Sequence, residues 1–104
     1  AGKPQEAIGL LNAAVHKDPF SAEPHFLLGQ VLKQAGQPYQ AVAALERAAE
    51  LRPDLDQTLT ILGELYLTLG FRKTARDAFA RALDACTDPA RTKLIQERLV
   101  ALGR

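Results

Sequence analysis

The 104-residue sequence predicts an all-α fold, an α-solenoid of about six antiparallel helices, and three observations carry that prediction. Glycine, alanine and proline landmarks recur at a fixed step of 34 residues. Between them, apolar residues recur at three- and four-residue spacing, the period of one helix face. Each such run is broken by turn chemistry, at Asp18-Pro19, Ala35-Gly36, Pro53, Gly70 and Asp88-Pro89. The landmarks pair Gly29 with Gly63, Gly36 with Gly70, Ala41 with Ala75, Leu45 with Phe79 and Ala48 with Ala82. One step back, Gly2, Ala7, Leu11, Ala14 and Pro19 fall under Gly36, Ala41, Leu45, Ala48 and Pro53. A period of this size marks stacked helical pairs, each too small to bury its own apolar face alone.

The first helix is predicted over 4–17. Pro4 suits a first turn, where its missing N–H is not needed, and Ala7, Leu10, Leu11, Ala14 and Val15 make one apolar face. Ser21 is the expected N-cap of the second helix, with Glu23 near its positive end and Leu27, Leu28, Val31 and Leu32 inward. Gly29 sits mid-helix, where glycine costs up to about 1 kcal/mol against alanine, so close approach of a neighbouring helix is its expected reason. Gly36 closes that helix and Pro38 opens the third, which carries Ala41, Val42, Ala44, Leu45, Ala48, Ala49 and Leu51 up to Pro53. Asp54 or Asp56 is expected to cap the fourth helix, with Leu59, Ile61, Leu62, Leu65, Tyr66 and Leu69 before Gly70. The fifth runs from about Arg72 to Ala85 with Ala75, Ala78, Phe79, Ala82 and Leu83 inward. Thr87 then stands at the expected proline position and Pro89 follows, which predicts a slightly extended helix or a longer turn. Asp88-Pro89 starts the last helix, where Leu94, Ile95, Leu99 and Leu102 form a stripe.

The order Leu28-Gly29, an aromatic or aliphatic residue three positions on, then Ala41, Leu45, Ala48 and Pro53, with its echo through Gly63, Gly70, Ala75 and Ala82, resembles the tetratricopeptide repeat family over almost the whole chain. The resemblance implies a right-handed α-α superhelix, with the first helix of each pair lining a concave groove and the second on the convex back. It divides a single domain into 1–21 (second helix of a truncated repeat), 22–55 and 56–89 (full repeats), and 90–104. That last segment reads either as a capping helix or as a degenerate first helix, and the solvated terminal element a solenoid needs favours the cap. Ala1-Gly2 aligns with a turn inside a repeat, so a piece of a longer chain is expected. The unpartnered face of its first helix makes self-association possible.

Composition is that of an ordinary folded domain, 47% hydrophobic and 24% charged. A formal net charge of +1 provides no field for nucleic acid, and no apolar run approaches a membrane span, so neither partner is expected. The single cysteine, Cys86, excludes an intramolecular disulfide and leaves the compartment open. His16 and His25 lie nine residues apart on different helices, without metal-ligand spacing. His25 stands where the family has tryptophan and reads as a packed residue. Ser21 with His25 would place a nucleophile and base one turn apart, but Ser21 reads more simply as a cap. Cys86 lies at a helix C-terminus, the wrong end for a reactive thiol. Arg91, Lys93, Arg98 and Arg104 read as a solvated face rather than a phosphate patch. No catalytic residue, cofactor or metal site is therefore expected.

What remains is surface. Carried over by resemblance, the groove residues are Glu23, Phe26, Gln30, Lys33 and Gln34 in the first full repeat and Gln57, Thr60, Glu64, Leu67 and Thr68 in the second. Lys93 and Glu97 are possible additions. Phe26 either anchors a partner or packs on the preceding unit. The Lys, Asn and Arg clamp by which some family members hold chaperone tails is absent, since Phe26, Gln30, Gln57 and Ile61 occupy its positions. The expected function is a non-catalytic protein-interaction module whose groove takes a peptide or protein segment. The alternatives are a substrate-positioning appendage of a glycosyl-, sulfo- or methyltransferase, and a self-assembling scaffold.

Overall fold

In a computed structural model, residues 3–103 are described. The expectations on Ala1-Gly2 and Arg104 lie outside them. Six helices occupy the described residues: α1 (Pro4–Lys17), α2 (Ala22–Gln34), α3 (Pro38–Leu51), α4 (Asp56–Thr68), α5 (Arg72–Ala85) and α6 (Pro89–Leu102). Local chemistry sets most of these bounds. Proline occupies the first turn of α1, α3 and α6, where a missing N–H leaves no bond unmade. Gly36 and Gly70 close α2 and α4 in the left-handed region, with φ of 78° and 88°. The amides of Gly36 and Gln37 donate back to Lys33 and Leu32, and those of Gly70 and Phe71 to Leu67 and Tyr66, which satisfies carbonyls the helix leaves open. The second closure is reinforced by an edge-to-face contact of Tyr66 with Phe71, ring centroids 6.4 Å apart.

Contacts divide the chain into two compact units, Ala1–Arg52 and Pro53–Arg104. In the first, α2 packs against both α1 and α3; in the second, α5 packs against both α4 and α6. The glycines explain the tightest crossings. A Cβ on Gly29 would stand 2.5 Å from Leu45 Cγ, and one on Gly63 would stand 2.7 Å from Phe79 Cζ. Leu45 and Phe79 are fully buried, along with Ala41, Ala48, Ala75 and Ala82. Small residues at these positions let the helix backbones approach, and the large residue fills the gap opposite the glycine.

Several expectations need correction. Ser21 is the N-cap of α2 by backbone, but its hydroxyl makes no capping bond. Pro24, at the third helical position, removes one of the two amides such a hydroxyl can bond. Neither Asp54 nor Asp56 caps α4; Leu55 holds that place and Asp56 is the first helical residue. The turn into α6 is not longer than its predecessors: it spans 86–88, where 18–21 and 52–55 each have one residue more. Leu102-Gly103 accordingly follows Leu69-Gly70 by 33 residues, one short of the repeat period. The apolar stripes are also narrower than their spacing predicts. Leu10 is 73% exposed and Leu94 61%, whereas Ile95 is buried.

Candidate partner-binding surface

Glu23, Phe26, Gln30 and Lys33 follow one another on α2 at steps of three, four and three, so they share one side of the helix. Glu23 and Lys33 are exposed, and Phe26 and Gln30 half-buried. Phe26 thus stands between full exposure and the buried core. Gln34 is exposed at the end of α2. In the second unit Gln57, Thr60, Glu64 and Leu67 repeat the same spacing on α4. Gln57 is exposed and the other three half-buried. The Thr60 and Thr68 hydroxyls donate back to the Asp56 and Glu64 carbonyls, one turn earlier.

The second unit adds an electrostatic feature that the sequence reading missed. Arg91 and Arg98 are not a free solvated face. Arg91 makes a bidentate bond to the buried Asp56 carboxylate, at 2.9 Å from Nε and 3.2 Å from Nη2. Its guanidinium also lies 3.4 Å from Asp88. Donation to Asp56 holds the Arg91 pKa above its ordinary value, against the opposing pull of partial desolvation. One helical stretch further, Arg98 pairs with Glu64 at 3.0 Å. At its other end α6 is held by α5: Arg76 donates to the Leu102 carbonyl at 2.7 Å, and Arg72 to the same oxygen at 3.4 Å. Cations there meet the negative end of the helix. Arg91 and Arg98 therefore join α6 to α4, and Lys93 and Glu97 remain exposed on it. The one available signal was spacing, since both pairs join residues about one repeat period apart.

The expected side-chain stripe is thus free on α2, but Glu64 on α4 is engaged by Arg98. Their bridge is exposed enough for screening to leave it worth about 0–1 kcal/mol. Gln30→Ala is accordingly expected to change stability by less than about 0.5 kcal/mol and Glu64→Ala by no more than about 1 kcal/mol. Urea melts followed by circular dichroism check both; a larger loss in either would mean that its side chain belongs to the fold rather than to a binding surface.

His25 is buried, and its Nε2 donates to the Pro19 carbonyl at 3.0 Å, which fixes the turn between α1 and α2. His16 is exposed in the last turn of α1. Cys86, half-buried at the end of α5, directs its thiol at the Asp88 carbonyl 3.5 Å away. Among the described residues no group of three or more His, Cys, Asp or Glu side chains could hold a metal ion, and no helix is long and apolar enough to cross a membrane.

Comparison with known proteins agrees with this architecture. The tetratricopeptide repeat pattern matches residues 1–59, more than half of the chain. No curated protein sequence matches it. Among solved structures, the Yersinia enterocolitica type III secretion translocator chaperone SycD aligns at a TM-score of 0.89 and 18% identity, over 98% of this chain and 73% of that one. SycD has also been solved in complex with a peptide of the translocator YopD. PcrH, in complex with the chaperone binding region of PopD, aligns at 0.89 and 22% identity, over 98% and 80% of the two chains. MamA aligns at 0.76 and 28% identity over 81% of this chain, which spans 46% of that one.

Proposed function

Because the chain belongs to the tetratricopeptide repeat family, we propose that it is a non-catalytic interaction module that binds a peptide or protein segment, with the stripe of α2 in the first unit and that of α4 in the second as its candidate surfaces. One observation carries the reading. The packing positions of the two repeats keep their character (Gly29 and Gly63, Ala41 and Ala75, Ala48 and Ala82), while the four stripe positions change theirs completely. Acid is matched with amide (Glu23, Gln57), aromatic with hydroxyl (Phe26, Thr60), amide with acid (Gln30, Glu64) and base with apolar (Lys33, Leu67). A framework preserved for packing beneath a surface varied in chemistry is how repeat proteins specify partners. That two structurally similar chaperones have been solved with peptide segments of their clients supports the same reading.

Affinity capture from native lysate, with mass spectrometry, tests it by comparing the wild type with Phe26→Ala/Gln30→Ala/Glu64→Ala. The segment of a captured partner is then titrated calorimetrically as a synthetic peptide. The expected result is a partner lost in the variant and a peptide affinity weakened at least about tenfold, the effect of one interfacial hot spot. Equal capture and equal affinity would place binding elsewhere and end this reading.

A further inference from the structure

A trough of about 550 Å³ lies within the first unit, between α1 and α3, and α2 forms its floor. This is the volume range of small-ligand sites. The floor is apolar: Leu28 and Leu32 are buried there, and Ile8 and Val15 lean in from α1. On the α3 side the wall steps back at Ala43 and Ala44, whose small side chains open the space. His25, Leu28 and Leu32 lie roughly 150° around α2 from the Glu23–Lys33 stripe, so the trough is separate from the surface discussed above.

The rim is chemically unusual for a surface with 24% charged residues overall. Gln5 and Asn12 stand along α1, and Gln37 and Gln40 along the start of α3, with no carboxylate among the lining residues. Each primary amide both donates and accepts, as a peptide backbone requires. A hydrocarbon chain would use none of them. Apart from His25, the rim's single ionisable group is Arg47, at the far end of α3. Its guanidinium is paired with Glu50 at 3.1 Å and lies 5.9 Å from the Phe20 ring centroid. Both partners are exposed, and such a pair is weak enough to be exchanged for a ligand carboxylate. From Gln37 to Arg47 the helix rises roughly 15 Å, the span of four or five extended residues.

We propose that this trough is a second binding site, one that takes an extended segment of about five residues, aliphatic along its length and acidic at the end that meets Arg47. Neutral amides then read the backbone, the floor takes alternate side chains, and charge sets the direction.

The test uses the full chain, labelled with ¹⁵N and titrated with a mixture of blocked pentapeptides carrying Ala, Val, Leu or Ile at the first four positions and Glu at the last. A second mixture carries Lys at the last position. Saturable shifts are expected in the side-chain amides of Gln5, Asn12, Gln37 and Gln40 with the first mixture. Arg47→Glu should weaken the glutamate mixture at least about tenfold and favour the lysine mixture, a swing typical of one reversed charge pair. Ala43→Leu, an exposed change that fills the trough without touching the core, should remove both responses while helicity is retained. Absence of saturable shifts would overturn the proposal. So would shifts confined to Gln30 and its neighbours on α2, although these would strengthen the function proposed above. Trough shifts that depend on protein concentration without peptide would overturn it in favour of a second copy of this chain. Loss of stripe binding in the capture experiment would leave this titration unaffected, so the two readings fail separately.

Discussion

Phe79→Ala is expected to cost about 3–5 kcal/mol, the range for removing a buried aromatic ring. The ring has no exposed surface, and it occupies the space between α5 and α4 that Gly63 leaves open. Truncation leaves a cavity that the neighbours cannot close cheaply, because Ala75, Ala78 and Ala82 on the same helix are already buried and small. A domain of this size has total stability of order 5–15 kcal/mol, so the variant should melt far earlier in urea. Phe79→Leu recreates the pairing of Gly29 with Leu45 in the first unit and should lose much less. Equal losses for alanine and leucine would show that filling the gap opposite Gly63 is not what the ring contributes.

Gly63→Leu should destabilise from the opposite direction, by overpacking. Its Cβ alone would stand 2.7 Å from Phe79 Cζ and 2.8 Å from both Cε atoms, closer than packed carbons approach. A ring enclosed on all sides cannot swing away, so the helices must separate, at about 1–3 kcal/mol. Helix propensity works the other way by up to about 1 kcal/mol, which makes the net loss smaller than the clash. The sharper expectation is coupling. In the Phe79→Ala background the cavity accepts the leucine, so Gly63→Leu should become neutral or stabilising, with an interaction energy of about 2 kcal/mol. Urea melts of the wild type, both single variants and the double variant complete the cycle. Additive losses would refute close approach as the reason for glycine at Gly63.

Most helix bounds, the repeat and the positions that must be small were legible in the residues alone. Proline in a first turn, glycine in a left-handed closure and Asp88 accepting from the Ala90 amide at 3.0 Å all act within a few residues, so their signals are local. The step of 34 then marked Gly29 and Gly63 as places where a neighbouring helix comes close, because each repeat reported on the other; that Leu45 and Phe79 are what meets them came from the packing. Even local reading failed where two local rules met: Ser21 marked the start of α2 correctly, but its hydroxyl makes no capping bond, and Pro24 removes one of the two N–H groups it could have used.

Side-chain partners were a different matter. Asp56 and Arg91 were read as a cap and a solvated charge, and only the packing of α6 in the second unit makes them a bidentate pair. Leu10 and Leu94 carry the helical period and yet face outward, because period names a side of a helix and not what covers it. The trough depends on α1 and α3 flanking α2, with Gln5 and Gln40 on the same rim although 35 residues separate them. The sequence by itself determined where helices begin and end and which positions must be small, since those follow from backbone geometry over a turn or two. Tertiary structure decided which charges are paired, which apolar residues stay wet and where a ligand can enter, since burial and Coulomb energy depend on neighbours that the chain supplies from far away.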